Sequence, residues 1–244
     1  MNQRIRKYLL VAFSIITFSP GVHAQLDFSA WIDAGTSNVS EGLYLKSAGF
    51  GSYKSGKLTF NAGMQIDVLS QNPNILSGFK ACISREIRFK KLAPGINVFY
   101  SLNRFSDIFS EYNLGVSGDV NLDHFDFRLG THFRTYMITK DAAEDYSVDE
   151  YKKIHENWNL VYLVSYRLKP AGHEWNVSLS VTNIDHFIIN QETNPVLFLR
   201  GGYRVSDPLY FFSELWYKTA GSLNLSVNYF GFFIRTGIVW DIEL

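Results

Sequence analysis

The first run that suggests chemistry is Gly51-Ser52-Tyr53-Lys54-Ser55-Gly56-Lys57. It spells most of a phosphate-cradling loop, in which backbone N–H groups and a lysine hold the phosphates. The next residue is Leu58, where a magnesium ion needs a hydroxyl, and the flanking pattern offers no helix. A hairpin turn is the better reading. Cys82 is the single cysteine, which excludes an intramolecular disulfide and a cysteine-rich zinc site. Between Ile138 and Glu156 stand Asp141, Glu144, Asp145, Asp149, Glu150 and Glu156 against Lys140, Lys152 and Lys153. The ordered spacing of a calcium loop is absent, so this reads as a solvated acidic loop. Ser147 followed by Glu150 is a capping-box pattern that starts a short surface helix there. No metal and no cofactor follows from these residues.

Denser chemistry lies in Phe125–Met137, where Asp126, Arg128, His132, Arg134 and Tyr136 occupy alternate positions. Asp67, Asp119, Arg167 and Glu214 fall on matching positions of other segments, and Asn157, Asn159 and Ser165 accompany Arg167. Charges of both signs on one face have two uses. They select solutes by charge at a constriction, anionic solutes among them, or they pair with one another and brace a narrow interior.

The elements that position these residues are strands. In Lys57–Val68, the residues Leu58, Phe60, Ala62, Met64, Ile66 and Val68 share one face, and the residues between them share the other. Phe125–Met137 and Tyr112–Val120 repeat the alternation. Successive strand side chains point to opposite faces, so each segment carries one apolar and one polar face. Strands of a soluble sandwich average about 5–6 residues, whereas a tilted strand needs about 9–11 to cross the hydrocarbon layer. These segments have the longer length. Trp31, Tyr53, Trp158, Tyr166, Trp175, Tyr217 and Trp240 fall near segment ends, as aromatic girdles at membrane interfaces do.

Short turn-rich links, such as Lys54–Lys57, Asn121–His124 and Ser206–Pro208, alternate with longer polar links, such as Gly35–Gly42, Ile138–Glu156 and Asp185–Pro195. That is the pattern of periplasmic turns and extracellular loops. Counting gives 12 strands, from 26–34 to 230–243, with 14 as the alternative if Ser222–Tyr229 adds to the wall. The fold class is thus all-β, a closed antiparallel up-and-down transmembrane β-barrel. Hydrocarbon cannot satisfy backbone polar groups, so the last strand must pair with the first.

The start of the chain is an address. Arg4, Arg6 and Lys7 precede an apolar run of 11 residues, Tyr8–Phe18, which is too short to span a bilayer. Pro20 and Gly21 break the run, and Val22 and Ala24 supply the small residues of a cleavage site. Residues 1–24 read as a signal peptide and residues 25–244 as one barrel domain. The whole chain has 23 basic and 23 acidic residues, and removing the signal leaves 20 and 23, so a nucleic-acid partner is unexpected.

The last residues, Arg235 to Leu244, resemble the C-terminal targeting strand of bacterial outer-membrane barrels. That pattern sets a polar residue, a glycine two later, and hydrophobic residues three and five beyond the glycine. Arg235, Gly237, Trp240 and Ile242 occupy these positions, and the chain ends in Leu244 where many family members end in Phe. The resemblance is to small Gram-negative outer-membrane β-barrel proteins and spans the mature chain. It implies a cell-envelope location, contact with outer-membrane lipid, and insertion by the barrel-assembly machinery. Outer-membrane hydrolases of this class carry a His and a Ser two residues apart, so that the His can take the hydroxyl proton. None of the 6 histidines has a Ser two residues on, so no catalytic residue is assigned and an enzyme is not expected. The expected function is a narrow, porin-like channel for small hydrophilic solutes. The alternatives are a structural or surface-assembly barrel with a plugged lumen and, less favoured, a lipid-acting enzyme.

Overall fold

A computed structural model describes residues 24–37, 43–69, 75–87, 94–104, 109–138, 154–168, 174–189, 195–218 and 230–243. The expected signal peptide (apart from Ala24), the capping pair Ser147 and Glu150, and Ser222–Tyr229 lie outside these residues.

Twelve strands follow in chain order: β1 (Ala24–Ser37), β2 (Leu43–Ser55), β3 (Leu58–Asp67), β4 (Leu76–Glu86), β5 (Gly95–Arg104), β6 (Phe109–Asn121), β7 (Phe125–Ile138), β8 (Ile154–Arg167), β9 (Trp175–Thr182), β10 (Val196–Ser206), β11 (Leu209–Lys218) and β12 (Phe230–Glu243). Each pairs antiparallel with its sequence neighbours, and β1 pairs with β12 to close the barrel. Closure gives every strand two neighbours, as the hydrocarbon layer demands, although β8 runs on past the end of β9 at the loop end. The seam runs in register from Gln25 opposite Glu243 to Thr36 opposite Phe232. One end of the barrel carries the links that follow the even-numbered strands, here the turn end, and the other carries those that follow the odd-numbered ones, including the long links after β7, β9 and β11, here the loop end.

The alternation in the sequence becomes an outside and an inside. On β7, Leu129 is 65% exposed, whereas His132 is 0% exposed. Phe127, Leu129 and Phe133 look outward, as do Leu114 and Val116 on β6 and Ile96 and Val98 on β5. So continuous an apolar surface marks a face that meets lipid or another protein. Trp158, Tyr166, Trp175, Tyr217 and Trp240 lie exposed on this outer surface. Trp31 departs from the expected girdle. It shares the inward face of β1 with Asp33 and is buried in the lumen, because period two counted along β1 puts both on one side.

Two local features depend on special backbone. Gly56 and Lys57 are the two-residue turn between Ser55 and Leu58, with φ 59° at Gly56, so the phosphate-loop look-alike is a hairpin. At the seam, a Cβ on Gly237 would stand 2.3 Å from the Ala30 carbonyl oxygen and 2.5 Å from the Trp31 Cβ, so only glycine fits there.

β8 corrects one detail of the sequence reading. A register shift between His132 and Arg134 sets Phe133 opposite an extra residue on β8, and Trp158 has φ 62°. This bulge turns Asn157 out of the inward series and puts Glu156 into it beside Arg134.

Candidate functional site

The polar inner faces meet in three levels, and a stretch of chain occupies the middle of the lumen. That stretch is Asn183–Ile189, which follows β9. β9 leaves the wall at Thr182, and the chain turns inward instead of continuing to the rim. Asn183 substitutes for the missing strand: its Oδ1 accepts from the Tyr162 N–H at 2.9 Å and its Nδ2 donates to the Leu160 carbonyl at 2.6 Å. The Thr182 hydroxyl donates to the Tyr162 carbonyl at 2.6 Å and accepts from the Ile184 N–H at 3.0 Å.

Ile184 and Ile189 then pack with Phe99 and Val161, and Phe187 and Ile188 pack with Trp31, Ala48 and Phe212. Small wall residues make room for this insertion. A Cβ on Gly78 would sit 3.2 Å from the Phe187 ring, and a Cβ on Gly115 would overlap Phe99 at 2.3 Å.

The middle level centres on Arg235. Its Nε and Nη2 donate to Asp33 at 2.7 and 3.0 Å, and these two residues are directly opposite across the β1–β12 seam. Its Nη1 and Nη2 also donate to the two carboxylate oxygens of Asp185, at 2.9 and 3.1 Å. Glu214 stands 3.6 Å away and is paired in turn with Arg200 at 3.0 Å. The rings of Trp31 and Trp216 approach the guanidinium carbon to 5.1 and 4.9 Å. Arg235 is fully buried, so two paired carboxylates and two aromatic faces replace its hydration. Asp185 belongs to the inserted segment and not to a strand. Burial by itself raises a carboxyl's pKa, but the Arg235 charge more than reverses this and holds Asp185 below its ordinary value.

The loop-end level centres on Arg134. It donates to Asn113 Oδ1 at 3.3 Å, to the Tyr136 hydroxyl at 3.1 Å, to Glu156 at 3.3 Å, and to the Ile189 carbonyl. Glu111, fully buried, lies 3.7 Å from it and accepts from Asn113 and Asn103 at 2.6 and 3.2 Å. Arginines on two opposite walls therefore hold the inserted segment, one through its backbone and one through a carboxylate.

At the turn-end level, Arg128 pairs with Asp119 at 2.7 and 3.1 Å, and Asn97 donates to the same carboxylate at 2.6 Å. Nearer the mouth, Arg167 pairs with Asp126 at 2.8 Å.

The residues singled out from the sequence are thus spread over these levels and do not form one ring. Asp119, Asp126, Arg128 and Arg167 line the turn end; Glu214 is in the middle; His132, Arg134 and Tyr136 are towards the loop end. Asp67 stands at the loop-end rim, where its carboxylate accepts from the Leu69 N–H at 3.1 Å. Of the terminal motif, Trp240 faces outward, Gly237 seals the seam, and Arg235 is the central lumen cation. Asp33, Lys46, Lys80, Glu111, Asp185 and Arg200 were missed by the sequence reading. For the strand residues the signal was the same alternation. For Asp185 it was the company of Ile184, Phe187, Ile188 and Ile189, four large apolar residues in a supposed surface loop.

No protein-family model matches the chain, and no curated protein matches it in sequence. Solved structures do share its fold. The COG4313 outer membrane channel from Pseudomonas putida F1 superposes with a TM-score of 0.55 at 8% identity, over 92% of this chain and 97% of that one. The KdgM porin gives 0.51 at 10% identity, over 88% of this chain and 98% of that one. A second KdgM porin structure, described as a complex with disordered oligogalacturonate, gives 0.50 at 10% identity over the same shares. At these identities the likeness establishes the fold, that of the outer-membrane β-barrels.

Proposed function

We propose that this chain is an integral outer-membrane channel for small hydrophilic solutes, stoppered by its own β9–β10 segment. The observation that carries this reading is the way the lumen is filled. A solid structural barrel packs wall side chains against one another. Here the middle of the lumen is taken by Asn183–Ile189, a piece of chain outside the strands, anchored to polar walls by Arg134 and Arg235. Around it the wall carries Asn, Ser and paired charges beside the rings of Trp31, Phe99, Phe212, Trp216 and Phe233, and the polar part suits water once the segment leaves. The fold shared with porins and channels agrees with this. In the membrane the outer belt meets lipid, the turn end faces the periplasm, and Gly237, Trp240 and Ile242 on the closing strand engage the assembly machinery.

A second reading has its own support. Phe187 and Ile188 form a dry cluster with Trp31 and Phe212, as a permanent plug in a structural barrel would. Planar-bilayer recording separates the two. Replacing residues 184–189 with a Gly/Ser linker should convert a mostly silent barrel into one with steady, ion-carrying current. A linker variant that folds and inserts yet passes no current would refute the channel.

A further inference from the structure

On the turn side of the inserted segment a cavity of about 200 Å³ remains. Inward residues of β2 to β7 form its walls, and Ile184 and His186 close it from the loop side. Lys80, midway along β4, lines this cavity and is only 9% exposed. Its ammonium lies over the Phe99 ring, 5.3 Å from the centroid, and no carboxylate among the described residues is within ion-pairing distance of it. The other wall cation, Arg128, is engaged by Asp119 through two hydrogen bonds. The cavity therefore holds one ammonium with no carboxylate in direct contact, Asp119 and Asp185 acting on it only from longer range. Burying an ammonium without a counter-ion is costly, and an anion in the cavity would remove that cost.

The walls also define which anion. One ammonium matches a monoanion, because a dianion would set its second negative charge beside Asp119. Asn61 and Ser84 offer an amide and a hydroxyl to a ligand's own hydroxyl groups, and the Phe50 and Phe99 rings offer apolar faces to its C–H groups. The volume is below the roughly 300–1,000 Å³ of sites for drug-sized ligands, so it suits one small molecule. We propose that this cavity is a binding site for a small hydroxylated monocarboxylate, with Lys80 as the counter-ion. The site requires no passage of solute, so it stands apart from the channel reading.

Calorimetric titration of the purified barrel in detergent, at neutral pH, tests it with sodium gluconate, sorbitol and inorganic phosphate. Gluconate should bind saturably, and sorbitol, which has the same carbon chain without the charge, should bind at least about tenfold more weakly. Phosphate should also be weaker than gluconate. Lys80→Met should weaken gluconate at least about tenfold, and Lys80→Arg should keep most of the affinity. Sorbitol binding as well as gluconate, unchanged binding in Lys80→Met, or no saturable gluconate heat overturns the proposal. Phosphate binding more tightly than gluconate overturns the monocarboxylate assignment. Lys80→Met should melt no lower than the wild type, because it removes a charge without an ionic partner. A lower melting temperature would show Lys80 serving the fold, and would overturn the proposal too. A barrel that conducts nothing still gives this readout, and a negative result here leaves the channel reading standing.

Discussion

Asp185→Asn tests how the inserted segment is held. The substitution keeps the side chain's shape and removes the charge that meets Arg235 at 2.9 and 3.1 Å. Removing one partner of a buried ion pair costs about 3–5 kcal/mol. Asp33 keeps its two hydrogen bonds to Arg235 at 2.7 and 3.0 Å, so the lower figure, about 3 kcal/mol, applies here. The apolar anchors are stronger in total. Ile184, Phe187, Ile188 and Ile189 are all buried, and each contributes about 1.5–3 kcal/mol. The segment should therefore remain docked most of the time in Asp185→Asn. Its undocked fraction should rise roughly a hundredfold, since 1.4 kcal/mol is about a factor of ten. The assay is the frequency of open events in single-channel recordings, with insertion checked by the gel mobility of the folded barrel. An unchanged event frequency in a folded variant would refute the ion-pair anchor. A permanently open variant would refute the apolar one.

Acid should act through the same carboxyl. Asp185 titrates below its ordinary value of 3.8 when docked, so docking stability is complete above that pH and is lost as pH falls through the docked pKa. Open events should be as rare at about pH 5 as at about pH 7, and should become frequent only below about pH 3.8; opening at pH 5 would contradict this. Gly237→Val should fail to close the barrel, because the added carbons meet the Ala30 backbone and Trp31; a variant with the wild-type heat-modifiable gel shift would contradict it. Leu129→Arg places a charge on the outer belt and should cost about 2–4 kcal/mol of folding stability in lipid vesicles, measured by urea titration, whereas a soluble protein would tolerate so exposed a change.

The wall was legible in the sequence because the membrane imposes one simple rule on every strand. Alternation over a dozen residues gave the strands, and the turn residues gave their number. The break at Asn157 and Trp158 comes from a bulge, and a bulge leaves period two intact in sequence on both sides of a shifted register. The lumen was only partly legible. Asp126, Arg128, Arg134 and Glu214 stood out as charges on inward positions, but their partners depend on which strands are neighbours and on register. Arg128 meets Asp119 because those two are opposite in the β6–β7 ladder. Arg235 was read as part of a terminal motif, and the pairing of β12 with β1 is what places it against Asp33. The inserted segment was missed because Asp185–Pro195 was classified by its polar residues, while Ile184, Phe187, Ile188 and Ile189 have a burial requirement that a surface loop cannot meet.

The most direct test of the whole account is a cysteine scan of residues 127–133 on β7, leaving out Gly130, where a side chain would meet the Val116 backbone, in a Cys82→Ser background, with each site carrying a fluorophore in vesicles of brominated lipid. Quenching should alternate: strong at Phe127, Leu129, Thr131 and Phe133, which point away from the lumen, and weak at Arg128 and His132, which point into it. Uniform quenching along the strand, or none at any position, would contradict a barrel with lipid outside and a polar lumen within.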